Sequence, residues 1–322
     1  MNKERIRLMV KVCQLYFHEG LNQQEIARRC CISRPQVSRL ISSAKFEGIV
    51  EVSIRNPFRE ETTIEKELMD HFHLRNAIIV DTNQGNDEAA FAQAGGNYLQ
   101  EVIQDGDTVG VMAGKTIAAF VNEINHISKK EVQFVPLVGG WGPEGAYWDA
   151  NAYTYQLAKK AKGKHWSLHA PAIVSSATMK ATVMEEPQIR KVINIANHAS
   201  VALVSVSEVS KEATLFSSTN MSEKDVYNIR REGGVASIGT SFLSKDGQEV
   251  GMSHSARLIG ISGANLKNIP LVIGVAKGKA KVDAVLAALQ GRWLHVLITD
   301  MVTAKELLEK HKNVGRYENE KI

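Results

Sequence analysis

Residues 110–116 read "GVMAGKT" and lead into "IAAFVNEI", a stretch with helical apolar spacing. Gly114, Lys115 and Thr116 are residue types that hold a phosphate: backbone N–H groups at the start of a helix favour an anion, and a lysine adds charge. A nucleotide-binding P-loop needs four residues between its first glycine and the Gly-Lys-Thr, and here there are only three, Val111, Met112 and Ala113. Either the match is accidental, or this is a shorter phosphate-binding turn of another fold. Two more glycine turns carry related chemistry. "VGGWG", residues 138–142, joins Gly139 and Gly140, which permit close backbone approach, to Trp141, whose ring can stack on an apolar ligand face. "AKGKAKVDAV", residues 276–285, sets Lys277, Lys279 and Lys281 around Gly278. Any one of the three is as readily a turn required by strand geometry. Together, with two of them basic, they point to a small phosphorylated ligand.

These turns need a frame. From about Ala77 onward, short β-branched runs ("AIIV", "TVGVMA", "VQFVPLVGG", "VALVSVS", "LVIGVA", "LHVLIT") alternate with helical patterns such as "EAAFAQAGGNYLQEVI", "ANAYTYQLAKKA" and "AKVDAVLAALQG". That alternation predicts an α/β domain with a mainly parallel sheet and flanking helices, in which ligands bind outside the carboxyl ends of the strands. Catalytic apparatus is not legible. The ten histidines are scattered, there is no His-Glu-x-x-His and no nucleophile elbow. Asp105, Asp107, Glu144, Asp149 and Asp300 are carboxylates that read as caps or turn residues. A sugar-phosphate enzyme and a P-loop ATPase, with Asp300 as a loose Walker B acid, stay open as alternatives to a binding protein.

At 322 residues the chain has the length of two domains, and its apolar fraction of 44% excludes a disordered chain. No apolar run approaches the roughly 18 residues of a membrane span, and "MNKERIRLMV" lacks a signal-peptide core, so a cytoplasmic location and no membrane partner are expected. Cys13, Cys30 and Cys31 lack a second ligand pair at zinc spacing and read as reduced core or near-core residues; no metal or other cofactor is expected. Residues 1–59 hold 11 Lys and Arg against 5 Asp and Glu, a net of +6, while the remainder nets −2. A small basic module on a near-neutral body is the footprint of a DNA-binding head.

Ile6, Met9, Val10, Cys13 and Phe17 recur at helical spacing, and Gly20 ends that helix. "NQQE" from Asn22 and "SRPQ" from Ser33 are capping boxes opening a second and a third helix, the latter from about Arg34 with Pro35 in its first turn. Residues 23–42 therefore read as a helix-turn-helix with Ile26, Ala27, Ile32, Val37 and Leu40 buried, and with Cys31 at a turn position that favours glycine. Gln23, Ser33, Arg34, Pro35, Gln36, Ser38 and Arg39 are the candidate DNA contacts; arginine can grip guanine and glutamine can pair with adenine in the major groove. "GIVEVSI" alternates as a small wing. The expected organisation is a winged helix-turn-helix over 1–56, a linker helix over 57–76, an α/β domain over 77–315, and a polar tail over 316–322.

From end to end the chain resembles the SorC type of sugar-binding transcriptional regulators. "LYFHEGLNQQEIARRCCISRPQVSRLISSAKFEGIVEVSI" matches that family's DNA-binding segment; "DGDTVGVMAGKTI", "VPLVGG", "HAPAIV" and "GVAKGKAKVDAVLAALQGRWLHVLITDMVTAKELL" follow its signature order. The resemblance implies an effector domain similar to sugar-phosphate isomerases, a phosphorylated sugar or polyol effector, and a dimer or tetramer acting on operator DNA. It assigns Gly114, Lys115 and Thr116 to a ligand-facing turn, Gly139 and Gly140 to a second, and Lys281 to the phosphate. Lys115 stands where arginine is usual, and keeps the charge but not the bidentate fork. Val138 stands where the deoxyribonucleoside-regulator branch carries a lysine able to form a Schiff base. Ala236 and Ser237 replace a Gly-Asp pair, and Ser205 and Ser207 replace glycines.

Overall fold

The computed structural model describes residues 3–51, 59–81, 87–143, 145–219 and 221–319. The chain divides into two compact units, 1–57 and 58–322.

The first unit holds three helices, α1 (Lys3–Phe17), α2 (Gln23–Cys30) and α3 (Arg34–Phe46). Both capping boxes form. The Asn22 Oδ1 accepts the Gln24 and Glu25 N–H groups at 3.0 Å while Glu25 takes the Asn22 N–H at 2.9 Å. Ser33 Oγ accepts the Gln36 N–H, and Gln36 Oε1 accepts the Ser33 N–H at 3.0 Å. Between them Cys31 turns the chain at φ 52°, in the left-handed region, which costs a β-carbon-bearing residue some backbone strain. Its side chain is exposed, so of the three thiols only Cys13 is fully in the core. Met9, Val12, Cys13, Leu15, Ile26, Ala27, Val37, Leu40, Ile41 and Ala44 close that core. In α1 the expected stripe is displaced: Met9 and Cys13 are buried, but Ile6, Val10 and Phe17 are exposed and Val12 and Leu15 take their place. α1 is apolar on two adjacent sectors, and its packing on α2 and α3 decides which is covered. The expected wing falls largely on residues 52–58, outside the described residues; Ile49 and Val50 precede them as a bend packed on the core.

The second unit opens with α4 (Arg59–Phe72) and continues as β1 (Asn76–Val80), α5 (Asp87–Val102), β2 (Thr108–Val111), α6 (Lys115–Glu123) and β3 (Gln133–Pro136). Then follow α7 (Ala150–Ala161), β4 (Lys164–His165), α8 (Ala177–Glu185), α9 (Pro187–Asn197), β5 (Val201–Glu208), α10 (Thr214–Ser217) and α11 (Glu223–Arg231). A meander of β6 (Ala236–Ile238), β7 (Ser241–Leu243) and β8 (Glu249–Val250) precedes α12 (Met252–Ser255) and α13 (Gly263–Lys267). The chain closes with β9 (Leu271–Val275), α14 (Val282–Gln290), β10 (Val296–Asp300) and α15 (Met301–Asn319).

Seven strands form a parallel array in the order β1-β10-β9-β5-β2-β3-β4. Alternate residues enter opposite apolar layers: Val201 and Leu203 of β5 face one, Ala202 and Val204 the other, and β10 divides Val296 and Ile298 from Leu297 in the same way. Burial on both faces is why these strands read as continuous apolar runs. α4, through Ile64, Leu68 and Phe72, is part of this core. β5 outruns the parallel array: Val206–Glu208 pair antiparallel with β6, which carries β7 and β8. That branch stands over the carboxyl ends of the central strands.

Candidate functional site

β2, β5 and β9 are neighbours, so the turns that leave β2 and β9 flank the projecting end of β5. A cleft of about 270 Å³ opens there, lined by Gly114, Lys115 and Thr116 on one side and Lys277 and Lys281 on the other. Ser205, Ser207 and Glu208 of β5, Ser237 of β6, the 212–215 segment, Met112 and Trp141 complete it.

The first turn points the start of α6 at the cleft. Gly114 is its N-cap at φ 144°, and among the described residues no side chain caps the helix. Anchoring comes from behind, where the Gly114 N–H donates to the Trp148 carbonyl at 3.0 Å. Uncapped N–H groups and the helix dipole give this turn the chemistry that can hold an anion. Lys115 is exposed, with its Nζ 5.6 Å from the Trp148 ring centroid, a cation–π contact that keeps the ammonium beside the turn.

The second turn is built differently. The Gly278 N–H donates to Asp300 Oδ2 at 3.0 Å and Thr303 Oγ1 at 2.8 Å, and Asp300 Oδ1 takes the Thr303 N–H at 2.6 Å. Asp300 is therefore buried turn scaffolding, not a metal-binding acid. Lys277 pairs with Glu88 at 2.7 Å and lies over Phe91. Lys279 turns away to Glu306 at 2.9 Å and does not line the cleft. Lys281 reaches in. Burial holds its ammonium below the ordinary lysine value; Glu208 opposes that shift, and Lys277 and Lys115 add to it.

Of the expected effector residues, Gly114, Lys115, Thr116, Trp141 and Lys281 meet in one cleft, whereas Gly139 and Gly140 do not line it. The Gly139 N–H donates to the Ile259 carbonyl and the Gly140 N–H to the Ala170 carbonyl. A β-carbon on Gly139 would stand 2.6 Å from the Ala170 and Pro171 carbonyl oxygens, so that glycine admits neighbouring backbone, not ligand. Val138 is buried and paired with Gly260. Asp149 caps α7 through the Asn151 N–H and holds the Trp141 N–H at 3.1 Å. Asp105 and Asp107 bind backbone N–H groups ahead of β2, at the opposite end of the sheet from the cleft, and Glu144 lies outside the described residues. Glu208 and Glu212 were not legible as cleft residues. The signal was the polar end of "VSVSE", since a strand that leaves a parallel sheet polar is leaving it towards a ligand edge.

In the first unit Arg34, Pro35, Gln36, Ser38 and Arg39 lie exposed on the amino-terminal half of α3, and Gln23 is half-buried. Ser33 and Gln36 are engaged in the α3 cap, so the Gln36 carbonyl oxygen is committed and only its amide NH2 remains to reach a base edge.

A family model described as "Putative sugar-binding domain" matches residues 56–309. The chain is 27% identical over 317 residues to the sorbitol operon regulator of Klebsiella pneumoniae, covering 96% of this chain and 99% of that protein. It is 30% identical over 302 residues to the transcriptional regulator YjhU of Escherichia coli (strain K12), covering 91% and 92%. The crystal structure of the full-length sorbitol operon regulator SorC from Klebsiella pneumoniae matches with a TM-score of 0.73 at 25% identity, over 95% of this chain and 100% of that one. None of the helices among the described residues is long and apolar enough to cross a membrane. With the family model spanning the whole parallel-sheet body and relatives matching through both units, the protein belongs to the SorC-type sugar-binding transcriptional regulators.

Proposed function

We propose that the protein is a cytoplasmic regulator of a carbohydrate-utilisation operon, whose hold on operator DNA is set by a phosphorylated sugar or polyol bound in the cleft. One observation carries this reading: the α6 amino terminus, Lys115 and Lys281 converge at the carboxyl ends of β2, β5 and β9. A parallel sheet with helices on both faces and its site at that edge is also the architecture of sugar-phosphate isomerases. Here the relatives that span the chain are regulators, which favours binding over turnover.

In this reading α2 and α3 form the helix-turn-helix of a winged head, with α3 in the major groove. Arg34 and Arg39 reach base edges or phosphates, and Gln23, Ser33, Pro35, Gln36 and Ser38 complete the contact surface. Self-association as a dimer or tetramer sets two such helices roughly 34 Å apart, or a multiple of that, on a pseudo-palindromic operator. The effector shifts occupancy by binding one quaternary arrangement better than another.

The test is a gel shift with the DNA upstream of the gene, in the presence of a panel of sugar and polyol phosphates. Arg39→Ala should weaken DNA binding about tenfold or more while the unfolding of the 58–322 unit stays unchanged, the ~1–3 kcal/mol of one good base or phosphate contact. Unchanged affinity would remove Arg39 from the contact surface. A panel without effect on the DNA complex would remove phosphorylated carbohydrates as effectors.

A further inference from the structure

The cleft has an acidic end as well as a basic one. Ser205 marks the basic end: its Oγ donates to the Ala113 carbonyl, and it lies 3.1 Å from where a β-carbon on Gly114 would stand. An anion seated on the α6 turn therefore sits beside Ser205, between Lys115 and Lys281. Glu208 lies three residues further along β5, so its Cα stands about 10 Å from that of Ser205 at the ~3.3 Å rise of a strand. Its carboxylate is held by two hydroxyls, Ser207 Oγ on Oε2 at 3.3 Å and Ser210 Oγ on Oε1 at 3.2 Å. Glu212 follows in the same wall.

Counting charges sharpens the contrast. Three lysines line the cleft, and one of them, Lys277, already pairs with Glu88. Neither Glu208 nor Glu212 makes a direct ion pair with a described residue, although Glu208 lies near enough to Lys281 to favour its ammonium. One phosphate dianion is thus matched at the lysine end, while a second at the far end of a short carbon chain would meet two carboxylates and only the hydroxyls of Ser207, Thr214 and Ser237. The wider cavity beyond Glu208 is not a basic site either: Glu208 and Glu212 line it too, Asp246 lies next to Lys245, Asp283 is paired with Lys310, and the Arg230 Nε is spent on the Val209 carbonyl at 2.7 Å. Sugar hydroxyls, by contrast, are donors that a fixed carboxylate accepts.

We propose that the cleft selects monophosphorylated sugars or polyols and rejects bisphosphates, with Glu208 and Glu212 as the specificity-determining residues that accept hydroxyls from the unphosphorylated end. This rests on the effector-site reading above.

The experiment is isothermal titration of the full chain with inorganic phosphate, fructose 6-phosphate and fructose 1,6-bisphosphate. The wild type should bind the monophosphate at least tenfold more tightly than the bisphosphate. In Glu208→Gln, and separately in the exposed variant Glu212→Gln, that ratio should shrink at least threefold, with circular dichroism confirming the fold. Tighter or equal binding of the bisphosphate by the wild type, or an unchanged ratio in both variants, overturns the selectivity and leaves the phosphate seat standing. Phosphate binding without either sugar phosphate shows a cleft closed to the carbon chain and overturns it as well. Failure of all three to bind overturns the phosphate reading itself, and the selectivity with it.

Discussion

The two basic turns of the cleft share a sequence signature and hold their lysines by different means. Gly114-Lys115 and Gly278-Lys279 each follow a parallel strand, each glycine has φ in the range that favours glycine (144° and 95°), and neither helix start has a side-chain cap. At the α6 turn the lysine next to the glycine lies exposed at the cleft and rests on Trp148. At the α14 turn the adjacent lysine is pulled out to Glu306, and a lysine two residues later is half-buried in its place. The first turn is open at its N–H groups, whereas the second has its glycine N–H clamped by Asp300 and Thr303. One turn offers a helix terminus and an exposed cation; the other offers a cation in a partly desolvated place. Glycine-lysine spacing alone does not distinguish these roles, because the difference lies in what the neighbouring strand and helix supply.

The contrast breaks most severely at the clamp. Asp300→Ala strips the Thr303 N–H of its acceptor and the Gly278 N–H of one of two, inside a buried turn, at a cost of about 2–4 kcal/mol. The thermal midpoint of the 58–322 unit should fall and the response to phosphate should fall with it. An unmoved midpoint would mean that chain geometry alone holds the α14 turn.

Lys281 comes next. Its pKa is lowered in the folded protein, first by burial, so the charged lysine costs stability at neutral pH and that cost fades as pH rises through its lowered pKa. A phosphate beside it favours the ammonium. Binding is then strongest below the pKa of the ligand-free lysine, takes up protons near it, and weakens as pH climbs through it. Lys281→Met should weaken phosphate-ligand binding roughly ten- to a hundredfold, the ~1.5–3 kcal/mol of a charge-assisted hydrogen bond, and leave the fold equally or more stable. It should also flatten the alkaline decline, which titrations from neutral to alkaline pH would measure; a decline unchanged in the variant would assign it to another group.

Much of the frame was legible because it is repetitive. "AIIV", "TVGVMA", "VQFVPLVGG", "VALVSVS", "LVIGVA" and "LHVLIT" each fall on a strand of the parallel array, to within a residue at its ends or with a short overrun, and "ANAYTYQLAKKA" is α7 itself. β6, β7 and β8 were not legible, since two- and three-residue strands in a glycine-broken segment carry no period long enough to count. With that meander missed, the antiparallel extension of β5 was missed too, and Glu208 with it. In the site, Gly114, Lys115, Thr116, Trp141 and Lys281 came from residue type and turn position. Gly139 and Gly140 did not join them, because a glycine that admits a neighbouring backbone looks the same in sequence as one that admits a ligand. The α1 stripe failed for a related reason: two adjacent apolar sectors satisfy the same helical period.

The glycines themselves separate the turns more finely. Each sits at a positive φ, so alanine at either position carries backbone strain of about 1 kcal/mol. Around Gly278 a β-carbon meets nothing within 4 Å, while at Gly114 it meets Ser205 Oγ at 3.1 Å. Gly278→Ala should therefore lower stability by strain alone, and Gly114→Ala by about 2 kcal/mol. Ser205→Ala in the Gly114→Ala background should recover most of the difference in a urea titration. Equal losses at the two glycines would mean that Ser205 yields freely and the α6 turn is no tighter than its counterpart.

The smallest effect is expected at Lys279, and it bears on the comparison most directly. Residues 279–281 form a single 3-10 turn, in which two positions apart is roughly two-thirds of a revolution, so Lys279 and Lys281 leave the backbone on different sides. Lys279 is exposed and its ammonium is held by Glu306, which raises its pKa, whereas burial lowers that of Lys281. Surface ion pairs of this kind add little to stability. Lys279→Ala should leave both the thermal midpoint and the phosphate-induced shift at wild-type values, while Lys281→Met loses the shift. Should Lys279→Ala lose it too, the two lysines act as one diffuse basic patch, and the buried cation has no separate role from the exposed ones.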